Sequence, residues 1–163
     1  MKEDELHAFL TLQRIPNLGD TSIKRLIGRF ETAQQVLDQK KESLLKLDGI
    51  GAFKLKAFFE KEHRLAAEEE LKFIQEHNID YCSYKDQNYP ERLKHCIDGP
   101  ILLFKRGSKD FSQQRMISIV GTRKVTNHGV DFIKQLVEDL APLNPLVVSG
   151  FAYGVDITAH RAA

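Results

Sequence analysis

Met116-Ile117-Ser118-Ile119-Val120-Gly121 and Leu146-Val147-Val148-Ser149-Gly150, with the amphipathic run Gly129 to Leu140 between them, decide how this chain folds. Each flanking run is short, apolar and rich in β-branched residues, and each ends on glycine, which predicts strands. The intervening run carries Phe132, Ile133, Leu136, Val137 and Leu140 at helical spacing. Strand, helix and strand within about 33 residues predict a βαβ unit, because parallel neighbours need a crossover long enough to hold a helix. Such crossovers are right-handed and bring the carboxyl ends of parallel strands to one rim, where open α/β sheets bind ligands. Gly121 and Gly150 are therefore expected on the same rim.

Beyond the first strand the chain reads Gly121-Thr122-Arg123-Lys124-Val125-Thr126-Asn127-His128-Gly129. Unhindered amides, two hydroxyls and two adjacent cations precede a helix N-terminus, and all of these suit a phosphate. Arg123 can place two parallel hydrogen bonds on phosphate oxygens, while Lys124 acts as a point charge. The second corner, Ser149-Gly150-Phe151-Ala152-Tyr153-Gly154, has less charge and adds aromatic faces at Phe151 and Tyr153 on which bases can stack. Neither corner is the dinucleotide fingerprint GxGxxG or the triphosphate loop GxxxxGK[ST], so no cofactor is expected. A plainer reading stays open, in which the glycines only permit tight turns and Arg123 joins a surface salt bridge. Ser149, Asp156 and His160 suggest a hydrolase triad, but Ser149 lacks a Gly-x-Ser-x-Gly elbow, and Asp156 and His160, four apart, read as a structural hydrogen bond at a helix start. No catalytic residue is assigned.

Upstream the period changes. Ile79 to Tyr84 and Ile101 to Lys105 read as strands around a turn-rich, partly helical stretch, and a domain boundary is placed near residue 78. Before it, Leu6, Phe9 and Leu10, then Ile23, Leu26, Ile27 and Phe30, form helical stripes. Short helices follow at Thr32 to Gln39 and at Ser43 to Leu47, the latter capped by Ser43, and then a long helix from about Ala52 to His77 on which Glu68 and Lys72 can pair. Leu18-Gly19 to Lys24 and Ile50-Gly51 to Lys56 align at a spacing of 32 as a weak repeat. Both resemble helix-hairpin-helix segments, whose glycine turn either exposes amides to a DNA phosphate or simply packs two helices.

The net charge of +1 is too small for non-specific attraction to nucleic acid, but the basic residues are unevenly placed. Residues 85 to 134 carry 10 Lys/Arg against 5 Asp/Glu, whereas residues 1 to 84 carry 13 against 15 and residues 135 to 163 carry 1 against 3. A hydrophobic content of 42% suits a globular chain. No apolar run reaches bilayer length and the acidic start is unlike a signal peptide, so the expectation is a cytoplasmic protein with no membrane insertion. Cys82 and Cys96 lack metal-ligand spacing and read as buried or partly buried thiols, with no metal site expected.

Ser118-Ile119-Val120-Gly121-Thr122-Arg123, followed by Ser149-Gly150-Phe151-Ala152-Tyr153-Gly154-Val155-Asp156-Ile157-Thr158-Ala159-His160, resembles the paired signature of the DprA/Smf (DNA-processing protein A) family. Asn88 to Leu93 and Gly99 to Gly107 resemble the family's lead-in to that region, and the helical N-terminus resembles its SAM-like domain. The resemblance implies an α/β chain with a small all-helical domain at 1–78 and an extended Rossmann-like DNA-binding domain at 79–163. Family members continue past the helix that follows the second strand, so only the N-terminal portion of that domain is expected here, a truncated parallel sheet. The resemblance further implies a non-enzymatic binder of single-stranded DNA, a homodimer when full length, that protects incoming DNA in natural transformation and helps load the RecA recombinase. Arg123 matches the family's phosphate-binding arginine, with Gly121, Thr122 and Lys124 in its loop, and Thr122 stands where serine is commoner. Two alternatives remain. One is a Rossmann-like enzyme cleaving nucleoside monophosphates, although its Pro-Gly-Gly-x-Gly-Thr run is absent from these residues; the other is a helical module devoted to protein contacts.

Overall fold

The computed structural model describes residues 1–45, 58–107 and 115–163. Two compact units divide between Ser108 and Lys109. In the first, helices α1 (Glu3–Arg14), α2 (Asp20–Phe30), α3 (Ala33–Leu37), α4 (Lys41–Leu45) and α5 (Lys61–Glu76) precede strand β1 (Asp80–Ser83), the short helix α6 (Glu91–Lys94) and strand β2 (Leu102–Lys105). The second holds β3 (Met116–Ser118), α7 (Asn127–Leu140), a 3-10 turn at Ala141–Leu143, β4 (Leu146–Val148) and α8 (Val155–Ala162).

Helix α1 is the hub of the first unit. Leu6, Ala8, Phe9, Leu10 and Leu12 are buried, so the helix is enclosed on more than one stripe, and buried Thr11 satisfies its hydroxyl by donating to His7 O at 2.8 Å. Ile23, Leu26 and Ile27 of α2 and Ala67 and Ile74 of α5 join the same cluster. Ile101 and Leu102 also belong to it, with Tyr81 and Tyr84 packed against it, and Phe9 meets Tyr84 edge to face at 6.4 Å. The antiparallel pair β1–β2, in register from Asp80↔Lys105 to Ser83↔Leu102, is therefore packed with the helices. This is why the compact units part at 108 and 109 and not near 78. The change of period marks a change of secondary structure inside one core.

Several local expectations shift. Thr32 caps α3 through Oγ1, which accepts from Gln35 N at 3.1 Å, but Ser43 lies within α4 and is not its cap. Of the long helix expected from about Ala52 to His77, residues 52–57 lie outside the described residues; Glu60 is extended (φ −73, ψ 124), and α5 begins at Lys61. Glu70 of α5 pairs with Arg14 of α1 at 2.6 Å, and the expected Glu68–Lys72 pair is not among the ion pairs of the described residues. Gly19 starts α2 at φ −76, and a Cβ there would meet nothing within 4 Å. The left-handed residue of that turn is Asn17, at φ 62. The second copy of the repeat lies outside the described residues. Cys82 is buried, as expected, but Cys96 is exposed.

The second unit is the βαβ arrangement expected. β3 and β4 pair in parallel, Met116↔Leu146 to Ser118↔Val148, and Ile119 N continues the ladder to Val148 O at 3.0 Å. Thr126 Oγ1 accepts from Gly129 N at 3.1 Å and so starts α7. Ile133 and Val137 of α7 and Ala159 of α8 bury against Ile119, with Ile117, Val147 and Val155 packed around them. Phe132 does not follow the stripe expected of it and is 62% exposed.

Candidate functional site

The two glycine corners leave β3 and β4 at the same rim and interlock. Gly154 has φ 85 and ψ −121, and a Cβ on it would lie 2.3 Å from Thr122 O and 2.6 Å from the carbonyl carbon and oxygen of Arg123. Only glycine accommodates both that conformation and that approach of two backbones. Val155 N donates to Thr122 O at 3.1 Å, fastening the start of α8 to the first loop. From the other side, a Cβ on Gly121 would fall 2.7 Å from Val155 Cγ2.

Gly121, Thr122, Arg123 and Lys124 are all exposed on the first corner; on the second, Gly150, Phe151 and Tyr153 are exposed, while Ser149, Ala152 and Gly154 are half-buried. The hydroxyls in the first loop have structural partners. Thr122 Oγ1 accepts from Lys124 N at 3.1 Å, and Thr126 caps α7 as above. Among the described residues Arg123 has no recorded ion pair, so the surface salt bridge of the plainer reading is not among those found. Arg123 lines a cavity of about 450 Å³ with Phe151, Ala152, Tyr153 and Ile157. Ile157 falls within the second signature run but outside the site expected from sequence, which ends at Gly154. Phe151 and Tyr153 are 71% and 84% exposed, so their ring faces are open to a stacking partner.

Phe151 is left-handed, at φ 57, a conformation that costs a non-glycine residue about 1–3 kcal/mol and needs support from its surroundings. Its N–H donates to Ser149 Oγ at 3.3 Å, and that oxygen lies 2.8 Å from His160 Nε2. The bond expected between Asp156 and His160 is therefore replaced. Asp156 is buried and accepts a long bond from Ala152 N at 3.5 Å, while His160 reaches across to Ser149. A serine–histidine contact exists, but the carboxylate that would orient the imidazole in a triad is directed elsewhere. The first-turn position of Asp156 on α8 suits its carboxylate to the helix dipole. Among the described residues, Glu60, Glu62 and His63 bring three potential metal-ligand atoms within 4.8 Å, and His63 Nε2 stands 3.5 Å from Glu60 Oε2, three residues earlier. No helix among the described residues is long and apolar enough to cross a membrane.

Over 166 residues the chain is 25% identical to the protein Smf of Synechocystis, covering 99% of this chain and 42% of that protein. It is 37% identical over 82 residues to the DNA processing protein DprA of Streptococcus pneumoniae, covering 50% of this chain and 28% of that protein. With DprA of Bacillus subtilis the identity is 33% over 94 residues, covering 57% and 32%. The chain thus spans less than half the length of these curated relatives. The X-ray structure of DprA from Streptococcus pneumoniae superposes with a TM-score of 0.70 at 23% identity, covering all of this chain and 54% of that one, which establishes a helical region followed by part of a Rossmann-like fold. The family model of DNA recombination-mediator protein A matches residues 80–163. That match takes in both glycine corners and just over half of the sequence, and on it the chain belongs to the DNA recombination-mediator protein A family.

Proposed function

We propose that the rim formed by Gly121 to Lys124 and Ser149 to Gly154 binds single-stranded DNA, tracking its phosphates with Arg123 and Lys124 and stacking bases on Phe151 and Tyr153. The observation that carries this reading is the exposed Arg123 guanidinium beside a cavity walled by two open aromatic rings. Cations along a backbone path with aromatic platforms beside it are how proteins hold single strands without reading sequence. Membership of a recombination-mediator family supports a role in DNA processing during natural transformation. In that role the protein protects incoming single strands and helps load the RecA recombinase, acting as a homodimer when full length and without catalysing a reaction. Residues 79–163 are the DNA-binding segment in this reading, and the family match beginning at residue 80 supports it. The helices before it are assigned to packing and partner contact.

The test is the salt dependence of binding to oligothymidylate. Neutralising one phosphate contact lowers the slope of log K against log salt by about 0.7 on single strands. Arg123→Ala is expected to weaken binding several-fold and reduce the slope by about that amount. Unchanged affinity and slope would remove Arg123 from the interface.

A further inference from the structure

Ser149 and His160 lie eleven residues apart, one at the end of β4 and the other in the last turn of α8, with Ser149 Oγ and His160 Nε2 at 2.8 Å. The same hydroxyl accepts from Phe151 N at 3.3 Å, and the Phe151 ring tilts onto the imidazole at a centroid distance of 5.4 Å and 58°. These contacts close a triangle around a left-handed aromatic residue. Both sides of it that touch Phe151, one polar and one aromatic, lead back to His160. We propose that His160 is a positioning residue for the rim: through Ser149 it holds Phe151 in its left-handed conformation and so sets the aromatic wall of the cavity beside Arg123. The inference rests on the reading that this cavity receives single-stranded DNA, and it adds a residue that does not line the cavity.

A serine hydroxyl offers one donor and two acceptor positions. While it accepts from the Phe151 N–H, it can either donate to an unprotonated Nε2 or accept from a protonated one, so the 2.8 Å contact is satisfied in both tautomers of His160. Asp156, one turn earlier on α8, accepts from the Ala152 N–H through Oδ2, and the side-chain bond of His160 is with Ser149.

The bond uses Nε2, and the two amide residues differ in reach: the side-chain amide of glutamine extends to where Nε2 lies, and that of asparagine only to Nδ1. His160→Gln is therefore expected to retain Phe151 amide protection from hydrogen exchange and to bind oligothymidylate within about twofold of the parent, as a retained bond should. His160→Asn and Ser149→Ala are expected to speed exchange of the Phe151 amide about fivefold and to weaken oligothymidylate binding to a similar degree, with the double variant no worse than either single one. Thermal unfolding establishes that each variant is folded, and if Ser149→Ala is not, the glutamine and asparagine pair decides alone. Equal behaviour of glutamine and asparagine, or unaltered Phe151 exchange in the folded Ser149→Ala chain, would overturn the proposal. Exchange is read without DNA. A chain whose Phe151 protection follows His160 but which binds no oligothymidylate sustains the hold on Phe151 and overturns the DNA reading instead.

Discussion

Replacing Gly154 by alanine tests whether the interlocked corners organise the rim. The added methyl would stand 2.3 Å from Thr122 O and 2.6 Å from two backbone atoms of Arg123, none of which can rotate away. Residue 154 also has φ 85, where an alanine costs about 1–3 kcal/mol before any contact is counted. Relieving the overlap requires the Thr122–Arg123 backbone to retreat, which breaks the 3.1 Å bond from Val155 N to Thr122 O, worth about 0.5–1.5 kcal/mol net. Together these give a loss of about 2–4 kcal/mol, large against the ~5–15 kcal/mol that holds an ordinary domain together. Gly150→Ala supplies the control on the same rim. A Cβ there would approach only Asp156 Oδ2, at 3.1 Å, a side-chain atom able to yield, and the cost should stay below about 1 kcal/mol. Urea unfolding followed by circular dichroism, extrapolated linearly, measures both. A Gly154→Ala chain within about 0.5 kcal/mol of the parent, or a Gly150→Ala chain that is the less stable of the two, would refute the interlock.

Other outcomes follow from the first unit. Glu5 on α1 accepts from Ala33 N at 2.7 Å and from Gln34 N at 3.1 Å, so its carboxylate satisfies two amides at the start of α3; Glu5→Ala should cost about 1–2 kcal/mol in urea unfolding and Glu5→Gln less. Cys96 is exposed and Cys82 buried, and burial first, then the charge of Asp86, pushes the Cys82 thiol up against the opposing pull of Lys105. A thiol reagent near neutral pH should label one cysteine rapidly and the second only on unfolding. Burial also raises the Tyr84 and Tyr89 phenols, the latter donating to Pro100 O at 2.7 Å. The folded state then keeps protons that the unfolded chain has released, so stability present at lower pH should fall as pH rises through the ordinary thiol and phenol range, about 8.5 to 10. The urea midpoint measured across that range should decline, and Tyr89→Phe should decline less steeply.

The βαβ unit was legible because each of its elements is set by its own periodicity. Ile117 and Ile119 alternate within one strand, and Ile133 and Val137 recur at one helical turn, so neighbours in sequence suffice to define them. Contacts between distant residues were harder to foresee. Ile101 and Leu102 read as a strand from local pattern, but their burial with α1 and α5, which puts the division at 108 and 109, follows from shape matching across some ninety residues of chain. Asp156 and His160 looked like partners because a helix brings residues four apart together. Ser149 competes successfully for that imidazole, and no spacing rule links residues eleven apart on different elements.

By itself the sequence marked Gly121 to Lys124 and Ser149 to Gly154 as the proposed phosphate-binding residues and determined that both corners would leave parallel strands on one rim, since strand handedness and crossover direction are properties of L-amino acids. Only the tertiary structure decided which of their groups stay exposed and which are taken up by the fold. Packing of Gly154 onto the Thr122–Arg123 backbone leaves Arg123 exposed beside the aromatic cavity and commits the Thr122 and Thr126 hydroxyls to the loop and the helix cap. A donor or acceptor bonds to whatever the fold brings within about 3 Å of it, and that is known only once the corners have met.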